Sequence, residues 1–162
     1  LLNVEPAADI GADSRGLATQ LRSRCLRLQA EHGLDLVVLD YLQLISGGMR
    51  FPTRQEEVSH ISRQVKALAK DLNLPVLAAA QLSRAVEQRN DKHPMLSDLR
   101  ESGGIEQDSD AVIFLYHPES GPPGVVDVNL AKHRSGPMGS LKLVFQPGPA
   151  RFQNPTSERL CA

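Results

Sequence analysis

The sequence predicts an α/β fold: a mostly parallel sheet flanked by helices, with an antiparallel hairpin toward the C-terminus. Three observations carry this. Short aliphatic runs at residues 36–39 and 76–80 read as strands buried on both faces, as in a parallel sheet covered by helices. A long amphipathic stretch lies between them and suits a right-handed crossover. Beyond residue 110 the strand-like segments follow one another without helical sequence between them, which suits antiparallel pairing at one side of the core.

Each element has a local warrant. Residues 1–4 read as the end of a strand. A helix is expected over residues 16–32, where Leu17, Leu21, Cys25 and Leu28 fall at helical spacing; Asp13 or Ser14 would cap it and Gly33 would end it. The strand ending at Asp40 follows, and Ser46-Gly47-Gly48 is a break. Thr53-Arg54-Gln55-Glu56 has the form of a capping box, in which Thr and Glu satisfy each other's orphan amides. Behind it Val58, Ile61, Val65, Leu68 and Leu72 form one apolar stripe. A second buried strand runs from Pro75 to Gln81. Residues 82–110 are polar and basic in places. Ala111 to Tyr116 reads as a third buried strand, Val125 to Lys132 as a fourth, and Leu141 to Phe145 as a fifth after the Gly136-Pro137-Met138-Gly139 turn. Residues 1–154 form one partial domain with no internal boundary, and 155–162 a disordered tail.

Composition narrows the classes. A length of 162 residues suits one core, and 41 % hydrophobic with 23 % charged residues excludes a disordered chain. The net charge of −1 gives no global electrostatic case for nucleic-acid binding, so any such contact must come from local basic loops. Cys25 and Cys161 lie far apart without metal spacing, which points to a reducing, cytoplasmic compartment. No apolar run reaches membrane-spanning length. The chain begins at Leu1 rather than Met and reads as a fragment.

Several residues carry possible chemistry. An ionised Asp ending a buried strand is costly unless it is paired, hydrogen-bonded or near a metal, and ligands bind at that edge of an open α/β sheet. Asp40 is therefore either a turn cap or a Walker B-like carboxylate beside the Mg²⁺ of a bound nucleotide. Gln81 ends the next strand; its amide both donates and accepts, so it either closes the strand end or senses a phosphate. Arg100 offers phosphate contacts and Gly103 a close backbone approach, while Glu101 suits an Arg-orienting role better than a phosphate one. The alternative is a solvated turn with a local Arg–Glu pair. Lys132 and Arg134 alternate along a strand and project to one face, where two cations repel unless an anion lies between them. Solvated edge residues are the other reading. Arg84, Arg89, Lys92 and His93 read as ordinary surface charge.

Four blocks turn these fragments into a pattern: Leu39-Asp40-Tyr41-Leu42-Gln43-Leu44; Leu74-Pro75-Val76 leading to Gln81-Leu82-Ser83-Arg84; Asp98-Leu99-Arg100-Glu101-Ser102-Gly103-Gly104-Ile105-Glu106-Gln107-Asp108-Ser109-Asp110; and Ala131-Lys132-His133-Arg134-Ser135-Gly136-Pro137-Met138-Gly139. Their order and spacing, over residues 34–152, resemble the C-terminal part of the RecA-like motor domain in the DnaB-type replicative DNA helicase family. The block from Asp98 to Asp110 discriminates most, because RecA-like recombinases share the strand ends and lack it in this form.

The resemblance implies a hexameric, ATP-driven helicase that translocates on single-stranded DNA and unwinds duplex at the replication fork. It implies ATP and Mg²⁺ as cofactors, and a primase and a helicase loader as partners. Asp40 would lie near Mg²⁺ through water, Gln81 would sense the γ-phosphate, and Arg100, Glu101 and Gly103 would touch single-stranded DNA. Arg134 would be an arginine finger acting on the neighbouring subunit's nucleotide, with Lys132 assisting. The pattern has gaps. No Gly-x-x-x-x-Gly-Lys-[Ser/Thr] cradle occurs in these 162 residues, and no Gly precedes a Lys. The family's catalytic Glu segment, N-terminal helical domain and linker are likewise not among them. The chain alone is therefore expected to be inactive in ATP hydrolysis, to leave apolar strand edges and faces of the 58–72 helix partly uncovered, and to associate. The competing classes are a RecA-like binding or regulatory module without hydrolysis and a RecA/RadA-type recombination ATPase.

Overall fold

A computed structural model describes residues 17–155 except Asn90, Gly103, Glu119 and Ser120. The strand end expected at residues 1–4, the caps Asp13 and Ser14, all of the expected 155–162 tail except Pro155, and with it Cys161, lie outside the described residues. Contacts divide the chain into two compact units. One holds the chain up to Gln81 together with Leu99–Asp108; the other holds Leu82–Asp98 and the chain from Ser109 onward. The chain passes between them three times, so no single linker sequence marks the division.

In the first unit, helix α1 (Leu17–His32) ends where Gly33 turns left-handed at φ 77°, its N–H donating to the Gln29 carbonyl at 3.2 Å. Strand β1 (Val37–Leu39) pairs in parallel with β2 (Val76–Ala78) in the register Val37↔Val76, Val38↔Leu77, Leu39↔Ala78. Helix α2 (Arg54–Leu72) connects them. Thr53 caps α2 by accepting from the Glu56 N–H at 3.2 Å, the forward half of the expected capping box. Asn73, left-handed at φ 52°, closes its other end. Leu21, Cys25, Val37, Leu68 and Leu72 form the core, with Leu34, Leu39, Leu74 and Val76 against it. Burial raises the Cys25 thiol above its ordinary pKa.

The apolar stripe of α2 is mostly covered: Val58, Ile61, Leu68 and Leu72 are buried, and Val65 is half-buried. Helix α1, the 3-10 turn Leu42–Leu44 and the short helix α3 (Ile105–Asp108) pack against it. The strands are the exposed part. Val38 and Leu77, directly paired across β1 and β2, are 58 % and 57 % exposed, so this pair is buried on one face rather than two.

In the second unit, β3 (Ala111–Tyr116), β4 (Val125–His133), β5 (Gly139–Gln146) and β6 (Arg151–Gln153) form an antiparallel meander. Parallel pairing among the described residues is thus confined to β1 and β2, and the C-terminal hairpin is part of a four-stranded sheet. β3 belongs to that sheet and is not buried on both faces: Val112 and Phe114 are buried, Ile113 and Leu115 exposed. A run of six apolar residues looks the same in either case, because the pairing partner sets the pleat's surroundings. The register of β3 on β4 jumps from Val112↔Lys132 to Ile113↔Leu130, leaving Ala131 as the extra residue of a bulge.

Candidate functional site

The parallel pairing of β1 and β2 sends both chains out of the same sheet edge. Ala79 N–H donates to the Leu39 carbonyl at 2.8 Å, and Leu42 N–H to the Ala79 carbonyl at 3.0 Å, so the two segments stay side by side past the strand ends. Asp40 and Gln81 therefore leave neighbouring strands at one edge, and both are exposed. At this point the side chain of Gln43 crosses between the segments. Its Oε1 accepts from the Gln81 N–H at 3.1 Å, and its Nε2 donates to the Gln81 carbonyl at 3.1 Å. One amide thus satisfies both backbone groups of Gln81.

The turn bearing Gln43 is itself anchored to the start of α2. Arg54 Nη2 donates to the Gln43 carbonyl and, at 3.4 Å, to the Ile45 carbonyl. Arg54 also pairs with Glu57. Glu57 Oε1 accepts from the Gly47 N–H at 2.9 Å, and that bond, with the Arg54 charge, holds the Glu57 carboxyl below its ordinary pKa against the opposing effect of burial. Gln43, Arg54 and Glu57 were not among the residues singled out from sequence. The Arg54–Glu57 spacing of one helical turn was legible; what the pair grips depends on a turn about ten residues away in the chain.

Arg100 and Glu101 fall in the 3-10 segment Leu96–Ser102, and Gly103 lies outside the described residues. Buried Leu99 lies within the segment, and buried Ile105 follows it at the start of α3. Gly104 abuts α2: a Cβ there would lie 3.2 Å from the Ser59 Cα, closer than a side chain tolerates without movement.

In the second unit, Lys132 stands opposite Val112. The bulge puts it in register with the face carrying Phe114, Tyr116, Asp127 and Asn129 rather than with Leu130 and Val128. Arg134 follows the end of β4 and is held to Asp110 twice. Its N–H donates to the Asp110 carbonyl at 2.8 Å, and its Nη1 pairs with Asp110 Oδ1 at 2.9 Å. An anion thus stands at Arg134, and it is a carboxylate of the same chain. Of the four residues read as surface charge, two are structural. Arg89 pairs with buried Asp98 at 2.6 Å and donates to the His93 carbonyl at 3.0 Å. His93 Nδ1 lies 2.6 Å from Tyr116 Oη, with the rings edge to face. Burial first, then Asp127, raises the Tyr116 pKa.

No group of three or more His, Cys, Asp or Glu is gathered for a metal among the described residues. An exposed carboxylate at a strand end fits Mg²⁺ in its hydrated form, since that ion keeps several waters and needs one or two protein carboxylates.

A family model described as the DnaB-like helicase C terminal domain matches residues 8–154 of this chain. The chain is 51 % identical over 133 residues to the replicative DNA helicase DnaB of Geobacillus stearothermophilus, covering 78 % of this chain and 29 % of that protein. It is 46 % identical over 149 residues to the replicative DNA helicase DnaC of Bacillus subtilis (strain 168), covering 88 % and 33 %. A DnaB-like replicative helicase, solved in a study of its interactions with primase, superposes with a TM-score of 0.80 at 41 % identity, covering 86 % of this chain and 36 % of its own. A second solved structure, of an ATPase domain, gives the same TM-score and identity over 86 % of this chain and 51 % of that domain. The chain thus spans about a third of the length of the curated relatives it matches.

Proposed function

Because this chain belongs to the DnaB-like helicase C-terminal domain family, we propose that residues 1–154 are the C-terminal portion of the motor domain of a homo-hexameric replicative helicase, driven by ATP along single-stranded DNA in the cytoplasm. The observation that carries the reading is the shared edge where β1 and β2 end, with Asp40 on one strand exit and Gln81 on the other. Asp40 offers one carboxylate to hydrated Mg²⁺, which would neutralise phosphate charge when bound with ATP. Gln81 presents its amide to the terminal phosphate or the attacking water. Arg100, Glu101 and Gly103 contact the single-stranded DNA. Lys132 and Arg134 act on the adjoining subunit's nucleotide. The relative solved in a study of its interactions with primase supports a primase as partner; a loader is inferred with it. Among the described residues no helix is long and apolar enough to cross a membrane.

The test uses a full-length chain. Arg134→Ala should leave ATP binding intact and lower kcat by about 10³-fold, the scale of an arginine finger. Mixed rings should show the defect in the subunit adjoining the variant. Normal hydrolysis by Arg134→Ala would remove the trans-acting role. The Arg134–Asp110 pair is compatible with that role, because an exposed ion pair is worth only about 0–1 kcal/mol and exchanges readily for a phosphate.

A further inference from the structure

We infer that Gln43 is a positioning residue for Gln81: its side-chain amide fixes the Gln81 backbone to the turn that follows Asp40, so that the exposed Gln81 side chain is presented from one backbone orientation and moves with the start of α2. The inference deepens the reading of Gln81 as phosphate sensor and rests on it.

The geometry is specific. Both Gln81 backbone groups are bonded to the two ends of one amide, each at 3.1 Å. A single bond would hold only one of the two peptide groups that flank the Gln81 Cα; two bonds hold both. Neither uses the Gln81 side chain. A strand partner would ordinarily supply these bonds, but β2 ends at Ala78 and the β1 segment turns away at Leu42–Leu44. Gln43 replaces the missing ladder rung with a side chain.

The far side of the clasp is equally fixed. The Gln43 carbonyl is held by Arg54 at the first position of α2, and Arg54 is held by Glu57, which also grips Gly47. One turn further along α2, Ser59 abuts Gly104, next to the segment that carries Arg100 and Glu101. A contiguous set of contacts therefore runs from the Gln81 backbone through Gln43 and Arg54 into α2, and α2 abuts Gly104, which follows the residues read as DNA-facing in sequence. Such a path is physical only if its members move together, which a substitution at the clasp can decide. Leu is close to Gln in volume and removes both bonds, whereas Glu keeps the acceptor for the Gln81 N–H and loses the donor to its carbonyl.

The experiment compares Gln43→Leu, Gln43→Glu and Gln81→Ala in a full-length helicase. It reads ATP KM, basal and DNA-stimulated kcat, thermal melting and hydrogen exchange at the Gln81 amide. Gln43→Leu should lower DNA-stimulated kcat by about tenfold or more through misplacement, with ATP KM unchanged. Its Gln81 amide should exchange about tenfold faster, the effect of losing one hydrogen bond. Gln43→Glu should keep slow exchange at that amide and lose part of the stimulation, which separates positioning from folding should Gln43→Leu melt early. Wild-type stimulation in both Gln43 variants, beside a defective Gln81→Ala, would overturn the inference and leave the sensor reading standing. Wild-type stimulation in Gln81→Ala would remove the sensor reading, and this inference with it.

Discussion

Glu57 shows how much one side chain in the first turn of a helix can carry. It accepts from the Gly47 N–H, pairs with Arg54 and sits near the positive end of α2, all of which favour the ionised form. Gly47 lowers its pKa most, burial opposes, and Arg54 adds to the lowering. A carboxyl whose pKa is lower folded than unfolded contributes stability above the unfolded value, and that contribution fades as pH falls through the folded one. Glu57→Gln should therefore be less stable than the parent at pH 7, by about 1 kcal/mol, the difference between a hydrogen bond to a charged acceptor and one to a neutral acceptor. The difference should shrink as pH drops below the ordinary glutamate range, checked by denaturant melts across that window. A gap that widened toward acid would reverse the sign and refute the assignment. Asp40 and Gln81 were legible from sequence because each closes an apolar run, although β2 itself ends at Ala78, three residues before Gln81. Gln43 was visible only as part of a motif, since what it grips lies 38 residues away.

At the scale of elements, the segment after β2 is more structured than its polar sequence suggested. Ser83 N–H donates to the Asp98 carbonyl at 3.1 Å, Met95 N–H to Asp98 Oδ2 at 2.7 Å, and Arg89 to the same oxygen at 2.6 Å. Asp98 is 6 % exposed, so its charge is held by these partners rather than by water. Removing it leaves an Arg and a backbone N–H without their acceptor. Asp98→Ala should cost about 2–4 kcal/mol, readable by chemical denaturation. A loss within 0.5 kcal/mol, about the scale of an ordinary surface substitution, would return Arg89 and Asp98 to the solvated surface. Helix boundaries were well marked in sequence, because Gly33 and Thr53 act on the backbone beside them. Strand environments were not. Burial on one face or two depends on what lies across the sheet, and neither the exposed Val38–Leu77 pair nor the bulge at Ala131 has a local signal.

For the whole molecule, the chain combines strand ends with the cations proposed to act in trans and the residues proposed to face DNA, and its 162 residues contain no Gly-x-x-x-x-Gly-Lys-[Ser/Thr] cradle. By itself it should show no DNA-dependent ATP turnover, measured as phosphate release from the pure chain. Turnover above background would mean that hydrolysis needs no Gly-x-x-x-x-Gly-Lys-[Ser/Thr] element, and the family-based reading would fail. The sequence by itself determined the α/β class, the family, the main helices and the strand exits that bear Asp40 and Gln81. These follow from local backbone preference, apolar periodicity and motif order, all of which are written in neighbouring residues. Tertiary structure alone decided which faces are covered, that parallel pairing is confined to β1 and β2, that Asp110 holds Arg134, and that Gln43 clasps Gln81. Those outcomes join residues distant in the chain, and a hydrogen bond or a buried face is settled only when both partners are in place.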